Sequence, residues 1–385
     1  MKKIIQTAVL SCLLATSSVA QTSRYQDHDT QTLLHNIAAQ ADNGKVMFGV
    51  ANGISRPYNN INAQQPLVGD TKSITGKDPQ FVENDVMFGK NMPEFFAREI
   101  LLTRQAQQKG IVIGYCWHLG GFSTNSFRYS EEEKDLAQKI IAETDSPEKQ
   151  WYLSLLDTVV TPLFKQFGFP IIFRPFHEMN GGWFWWGSRA ITPSQYITLY
   201  RITVDRLRAN DLRNIIYCWS PDTYLKMEYY PGDDYVDIMG LDIYEPDCSP
   251  YHPDGTYAAE MKKLIDTAHS HNKIPAITET GLREHEGVMR YPDEIPDFWT
   301  KKVFSKILTG HAPHKSKANG IAYVMSWYNA NWSNDNRGSL YVPYPGIEND
   351  HGSNGQKAID DMKNLSRYKN VIFNGDSENL YRDHK

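Results

Sequence analysis

The chain has 385 residues, 22% of them charged and 12% aromatic, with 9 Trp and 22 Tyr. That length accommodates one large barrel-type domain, and that composition is globular rather than disordered. The formal charge of −5 supplies no basic field for nucleic acid.

Chain order begins with a segment that reads as an export signal over residues 1–20. Lys2 and Lys3 are positive, Ile4 to Ala15 is apolar, and Ser18-Val19-Ala20 offers a small-residue cleavage site before Gln21. The apolar run is too short to span a membrane. Val9-Leu10-Ser11-Cys12 also resembles a bacterial lipoprotein box, which would place a lipid anchor on Cys12. The short apolar stretch before it favours cleavage after Ala20. The expectation is a periplasmic or secreted protein, with a cell-surface lipoprotein as the alternative. Cys116, Cys218 and Cys248 form no CxxC pair and no even disulfide framework.

From residue 21 to 385 one catalytic domain is expected. Short apolar runs recur at 46–51, 111–118, 170–176, 214–220, 235–244, 274–280 and 321–328, with a weaker one near 85–89. Such runs fit strands buried on both faces. Helical patterns lie between them at Pro93–Gln108, Leu136–Ala142, Trp151–Phe167, Ser194–Ala209, Thr256–Ser270 and Phe298–Leu308. About eight strand–helix alternations point to an α/β fold, a (β/α)8 TIM barrel. A doubly wound sheet is the rival, but no glycine-rich phosphate loop follows the first strand. Residues 329–355, rich in Asn, Gly, Pro and Tyr, read as a long loop.

Barrel enzymes place their chemistry at the C-terminal ends of strands. There the sequence puts His118, His177-Glu178, Tyr244, Glu279 and Trp327. Period-two alternation places Arg174, Phe176 and Glu178 on one face, and Ile277 with Glu279 on another. Arg174 is thereby expected beneath the carboxylates, holding one of them ionised, or else in a structural ion pair of the barrel. Two carboxyls across a sugar-sized gap are the minimum equipment for glycoside hydrolysis. Of the block Trp183-Phe184-Trp185-Trp186, Trp183 is expected to be a sugar-stacking platform and the other rings core; Trp327 is a second platform. His118 and His177 are metal-capable, but no HExxH spacing accompanies them, and no GxSxG elbow occurs. No metal and no cofactor is expected.

The stretch Phe173-Arg174-Pro175-Phe176-His177-Glu178-Met179-Asn180-Gly181, continuing to Gly187, resembles the acid/base segment of glycoside hydrolase family 26, the β-mannanases. Trp219-Ser220-Pro221-Asp222, Gly240-Leu241-Asp242-Ile243-Tyr244 and Thr278-Glu279-Thr280-Gly281 follow in that family's order. The resemblance implies a retaining enzyme with Glu178 as acid/base after strand four and Glu279 as nucleophile after strand seven. His177 and Tyr244 would orient and tune the pair. His118, Trp183 and Trp327 would line sugar sites, and Arg174 is counted with this substrate-binding set. The substrate implied is mannan polysaccharide, galactomannan, glucomannan or manno-oligosaccharide, cut internally or with release of mannobiose. A β-glucanase or xylanase on the same barrel and a non-catalytic polysaccharide-binding protein are the alternatives. The family often carries Arg after the tryptophan of the last strand, whereas this chain has Tyr328.

Overall fold

The computed structural model describes residues 24–54, 68–86, 93–249, 251–282, 295, 297–309, 317–331, 338–339 and 341–383. The export segment read over 1–20, with Cys12, lies outside them.

Eight parallel strands close into a barrel: β1 (Val46–Ala51), β2 (Phe81–Asp85), β3 (Val112–Trp117), β4 (Ile171–Pro175), β5 (Ile215–Trp219), β6 (Ile238–Asp242), β7 (Ile274–Thr280) and β8 (Tyr323–Ser326). Each pairs with its neighbour in sequence, and β1 closes on β8 through Met47↔Tyr323 to Val50↔Ser326. The short strand Val371–Ile372 pairs with the start of β1. The barrel is a single domain. The second strand lies earlier than the weak run near 85–89; only its last residue, Asp85, falls in that run, and residues 87–89 lie outside the described set. Its sequence FVEND carries two carboxylates and an amide, so apolar content alone did not reveal it.

Alternation sorts the strand residues into two layers. Ile113, Tyr115, Ile171, Phe173 and Tyr217 pack outward with the helices, as in the Phe164–Phe173 ring contact at 5.1 Å. Met47, Phe81, Val112, Ile172, Ile216, Ile238 and Tyr323 fill the interior, where the Phe81 and Tyr323 rings lie 4.4 Å apart. Side chains thus fill the lower barrel as a packed core rather than a pore. The helix His28–Asp42, capped by Asp27 accepting from the Thr30 N–H, adds Leu33, Leu34, Ile37 and Ala41 to this interior cluster.

The helix Pro193–Ala209 opens with a reciprocal capping box between Thr192 and Gln195. Pro147–Phe167 is helical throughout, with a π-helical turn at Leu156–Val160. Phe298–Ile307 begins as a π-helix and ends as an α-helix. The stretch 329–355 is not all loop: it holds a two-residue strand pair, Ala330–Asn331 with Gly338–Ser339, and the start of the helix Ile347–Leu365. Polar spacing hid that helix: its buried Ile347 is followed by a polar run, Gly352 breaks the turn at φ 59°, and the inward residues Ile359, Met362 and Leu365 come only beyond it. Among the described residues, no helix is long and apolar enough to cross a membrane.

Candidate active site

Period-two alternation carries five polar side chains into the open end of the barrel. Phe81, Glu83 and Asp85 succeed one another inward on β2, and Cys116 and His118 do so on and just past β3. Cys218 and Ser220 follow from β5, and Asp242 from β6. The two carboxylates singled out in the sequence reach the same place by exceptions to that rule.

The first exception is at β4, which stops at Pro175. Phe176 and Glu178 take left-handed backbone conformations, with φ of 52° and 53°. The alternation expected to carry Arg174, Phe176 and Glu178 along one face therefore ends before Phe176. A non-glycine residue held there costs on the order of 1–3 kcal/mol, so it must be held by its surroundings. Tyr196 donates its hydroxyl to the Phe176 carbonyl at 3.1 Å. The Glu178 N–H donates to the Ser220 carbonyl at 2.8 Å, and the Trp186 indole to the His177 carbonyl at 2.9 Å. Trp185, bonded to the Leu119 carbonyl, and Trp186 are completely buried beneath the turn. These two rings are core, as expected; Phe184 is buried too but edges the cleft. Trp183 is half-buried and turns back, donating its indole N–H to Glu178 Oε2 at 2.7 Å. A β-carbon on Gly181 would lie 2.4 Å from the Trp183 ring, so only glycine admits this fold-back.

The second exception is a bulge on β7. Its register with β6 runs Leu241↔Ile277 and then Asp242↔Glu279, leaving Thr278 as an extra residue. A bulge re-aims the side chains that follow it. Ile277 accordingly faces outward into the helix layer, while Glu279 turns inward. The two do not share a face, contrary to the alternation expected from sequence.

Glu279 is held at both oxygens. Arg174 Nη2 donates to Oε1 at 2.7 Å, and the Tyr244 hydroxyl donates to Oε2 at 2.6 Å. His177 Nε2 lies 3.9 Å from Oε1. Arg174 also grips Glu83 through Nε at 3.0 Å and Nη2 at 2.5 Å, and reaches Asp242 at 2.9 Å through Nη1. It has no exposed surface. Counted from sequence with the substrate-binding residues, Arg174 instead lies beneath the cleft as the cation of a buried network. One guanidinium faces three carboxyls, so full ionisation of all three would leave excess buried charge. Burial outweighs Arg174 and pushes the Glu83 and Asp242 carboxyls up, so both hold their protons more tightly than in water. An oxygen from each of Glu178, Asp242 and Glu279 lies within 4.8 Å of the others. Three such carboxyls are a conceivable metal donor set, but Glu279 already spends both oxygens on Arg174 and Tyr244, and Asp242 spends one on Arg174.

His118 and His177 stand edge to face, 4.6 Å between centroids, with Trp327 5.8 Å from His118. Burial lowers both imidazoles, but with different outcomes. In His118 the contacting Asp85 carboxylate overcomes burial and carries the ring above its ordinary value. In His177 burial is reinforced by Arg174 and His118, and the ring falls well below.

The cleft over these groups measures about 390 Å³. His118, His177, Glu178, Trp183, Tyr244, Glu279 and Trp327 all line it, and Arg174 does not. Asn52, Asp85, Phe127, Arg128 and Tyr341 also line it without having been singled out from sequence, and so does Tyr328, which stands where the family often carries Arg. Tyr328 is nearly buried and packs its ring 5.1 Å from Trp327. Asp85 ends the strand whose position was misread. Asp242 and Ser220 sat inside quoted motifs without a role. A second recess of about 400 Å³ adjoins the first across Trp183 and Tyr244, and extends to Asp222, Tyr251 and His252.

Residues 22–335 match the family model described as glycosyl hydrolase family 26. The chain belongs to glycosyl hydrolase family 26. This family 26 member is 34% identical over 214 residues to a mannan endo-1,4-beta-mannosidase of Bifidobacterium adolescentis, covering 53% of this chain and 20% of that protein. It is 28% identical over 284 residues to a mannan endo-1,4-beta-mannosidase of Bacillus subtilis, covering 68% of this chain and 73% of the other. A solved GH26 beta-mannanase from Bacteroides ovatus superposes with a TM-score of 0.74 at 25% identity, over 92% of this chain and 97% of that one. The family 26 chain spans only about a fifth of the first of these relatives.

Proposed function

We propose that this family 26 glycoside hydrolase cleaves β-1,4-mannosidic bonds in mannan, galactomannan or glucomannan by retaining double displacement. One observation carries the reading: Glu178 and Glu279 oxygens lie within 4.8 Å of each other across the cleft floor. Retaining glycosidases hold their carboxyls about 5–5.5 Å apart, and inverting ones about 6.5–9.5 Å, to admit a water. The mannan preference is supported by the names of its relatives.

The two carboxyls have different surroundings, which supports different roles. Glu279 accepts from a guanidinium and a phenol, so both of its oxygens are fixed in place. It is the nucleophile that attacks the anomeric carbon. Glu178 accepts from a neutral indole at the rim of the recess. It protonates the departing oxygen, then removes the proton from the water that hydrolyses the glycosyl-enzyme. Tyr244 and His177 orient Glu279, while His118, Trp183 and Trp327 supply the sugar-facing wall. The two recesses meeting at Trp183 and Tyr244 give room for sugar on both sides of the scissile bond.

Export to the periplasm or medium belongs to the same reading, supported by the charged, apolar and small-residue order of the first twenty residues; fractionation with and without the Ala20 site tests it. The decisive measurement for the activity is release of reducing ends from mannan, β-glucan and xylan, with anomeric configuration followed by NMR. The expected result is release from mannan with β-configured product first. α-Configured product overturns the mechanism, preference for glucan or xylan overturns the substrate, and binding without release overturns the enzyme reading.

A further inference from the structure

Asp85 is a buried carboxylate at the cleft wall, and it touches His118 twice. Its Oδ1 accepts the His118 backbone N–H at 3.1 Å, and its Oδ2 lies 2.6 Å from His118 Nδ1. The backbone contact fixes the carboxylate relative to the chain, and the short side-chain contact fixes the ring. With Nδ1 engaged, the opposite nitrogen, Nε2, is the atom that His118 offers to the cleft it lines. We propose that Asp85 is a positioning residue that holds His118 as an imidazolium, so that Nε2–H donates a charge-assisted hydrogen bond to a sugar hydroxyl or ring oxygen. This rests on the glycoside-hydrolase reading of the cleft and adds a second ionisation to it.

The groups facing His118 pull in opposite directions. Asp85 from β2 and Glu279 from β7 favour its charged form, while burial and Arg174 from β4 oppose it. The net displacement is upward. Cys116, 3.9 Å from Nδ1, is a thiol whose burial keeps it protonated. His177, on the turn after β4, is pushed the other way and stays neutral. The Phe127, Phe184 and Trp327 rings enclose His118 without adding charge. Two imidazoles in contact therefore carry opposite protonation states, and only His118 has a carboxylate partner at hydrogen-bond distance. A neutral His118 with Nδ1–H on Asp85 presents Nε2 as an acceptor instead. Loss of the proton thus reverses the polarity of the atom facing the sugar.

The test is a nitrogen-detected NMR titration of the imidazoles in the intact protein, with His118 assigned by the peak missing in His118→Gln. In the wild type the His118 ring is expected to remain doubly protonated at pH 6.5. It should lose its proton only above that value. In Asp85→Asn only Glu279 still opposes burial and Arg174, and the ring is expected to titrate at a lower pH than in the wild type, below pH 6.5. On manno-oligosaccharides at pH 6.5, Asp85→Asn should raise KM by roughly tenfold with kcat little changed, as expected for loss of one charge-assisted bond made in the ground state. The wild-type KM should rise as the pH passes through the measured His118 titration. A neutral His118 in the wild type at pH 6.5 overturns the proposal without reference to any substrate. An imidazolium whose titration leaves KM flat overturns the sugar contact. The titration needs no substrate, so its outcome is separate from whether mannan is cleaved, and it is read on the wild type even if Asp85→Asn folds poorly.

Discussion

Arg174 donates to Glu279 across 2.7 Å although the arginine has no surface of its own. The residue that positions the proposed nucleophile is thus part of the barrel interior, bound to Glu83 and Asp242 in the same layer. Arg174→Met is expected to leave three buried carboxyls without their cation. Removing one partner of a buried pair costs about 3–5 kcal/mol. Urea denaturation should show a loss of that order, and activity should fall with it. Arg174→Lys should recover part of the stability and little of the activity, because a single ammonium cannot span Glu83, Asp242 and Glu279 as the guanidinium fork does.

The two carboxyls should separate kinetically. Glu178→Ala is expected to lower kcat on mannan by roughly 10²–10⁴. The loss should be much smaller on an aryl mannoside whose leaving group departs without protonation. Glu279→Ala should abolish turnover on both, and azide should restore it with inverted product. Equal losses on both substrates in Glu178→Ala would count against the acid role.

Tyr244→Phe removes the hydroxyl that meets Glu279 at 2.6 Å and keeps the ring that packs 6.0 Å from Tyr341. A hydrogen bond to a charged group contributes about 1.5–3 kcal/mol. The expected outcome is a fall in kcat of about tenfold or more with the melting temperature nearly unchanged. A variant with full kcat would show that Arg174 alone suffices to hold Glu279.

Gly181→Ala tests the fold-back of Trp183. Its β-carbon would require the indole to move, breaking the 2.7 Å bond to Glu178. Activity should fall more than stability does, and tryptophan fluorescence should report the displaced ring. Trp185→Ala should do the reverse, costing about 3–5 kcal/mol of stability because the ring is fully buried.

Stability should also carry a pH signature far from the cleft. Asp361 accepts the backbone N–H groups of Trp299 at 3.0 Å and Thr300 at 3.2 Å, and it bonds the Thr300 hydroxyl. Burial nevertheless raises its carboxyl to about 6. The native state then binds this proton more tightly than the unfolded chain does. Its stabilising contribution is complete below the ordinary carboxyl value, about 4, and is lost as pH rises through about 6. A difference of about two pKa units corresponds to roughly 3 kcal/mol. Asp361→Asn should flatten this component between pH 4 and 7 and leave the protein more stable than wild type at pH 7. An unchanged slope in denaturation curves would refute it.

The sequence by itself determined the class of barrel, and it singled out Glu178, Glu279 and five more of the residues that line the cleft. Alternation with period two and the rule that chemistry sits at strand C-termini are local properties, readable without a third dimension. His118 and Trp327 follow from them directly, and Trp183 from the block after Glu178. Asp85 and Glu83 escaped because their strand, FVEND, has too little apolar content to register as one. Only the tertiary structure decided how Glu178 and Glu279 arrive. Glu178 is itself the second of two left-handed residues, Phe176 being the first, in a turn that two buried tryptophans and the Ser220 carbonyl hold in place. Glu279 is turned inward by an extra residue whose existence depends on pairing with β6 and β8. Period-two reading placed both on plausible faces for the wrong reason. Strained turns and bulges are held by contacts from distant parts of the chain, so no local pattern records them.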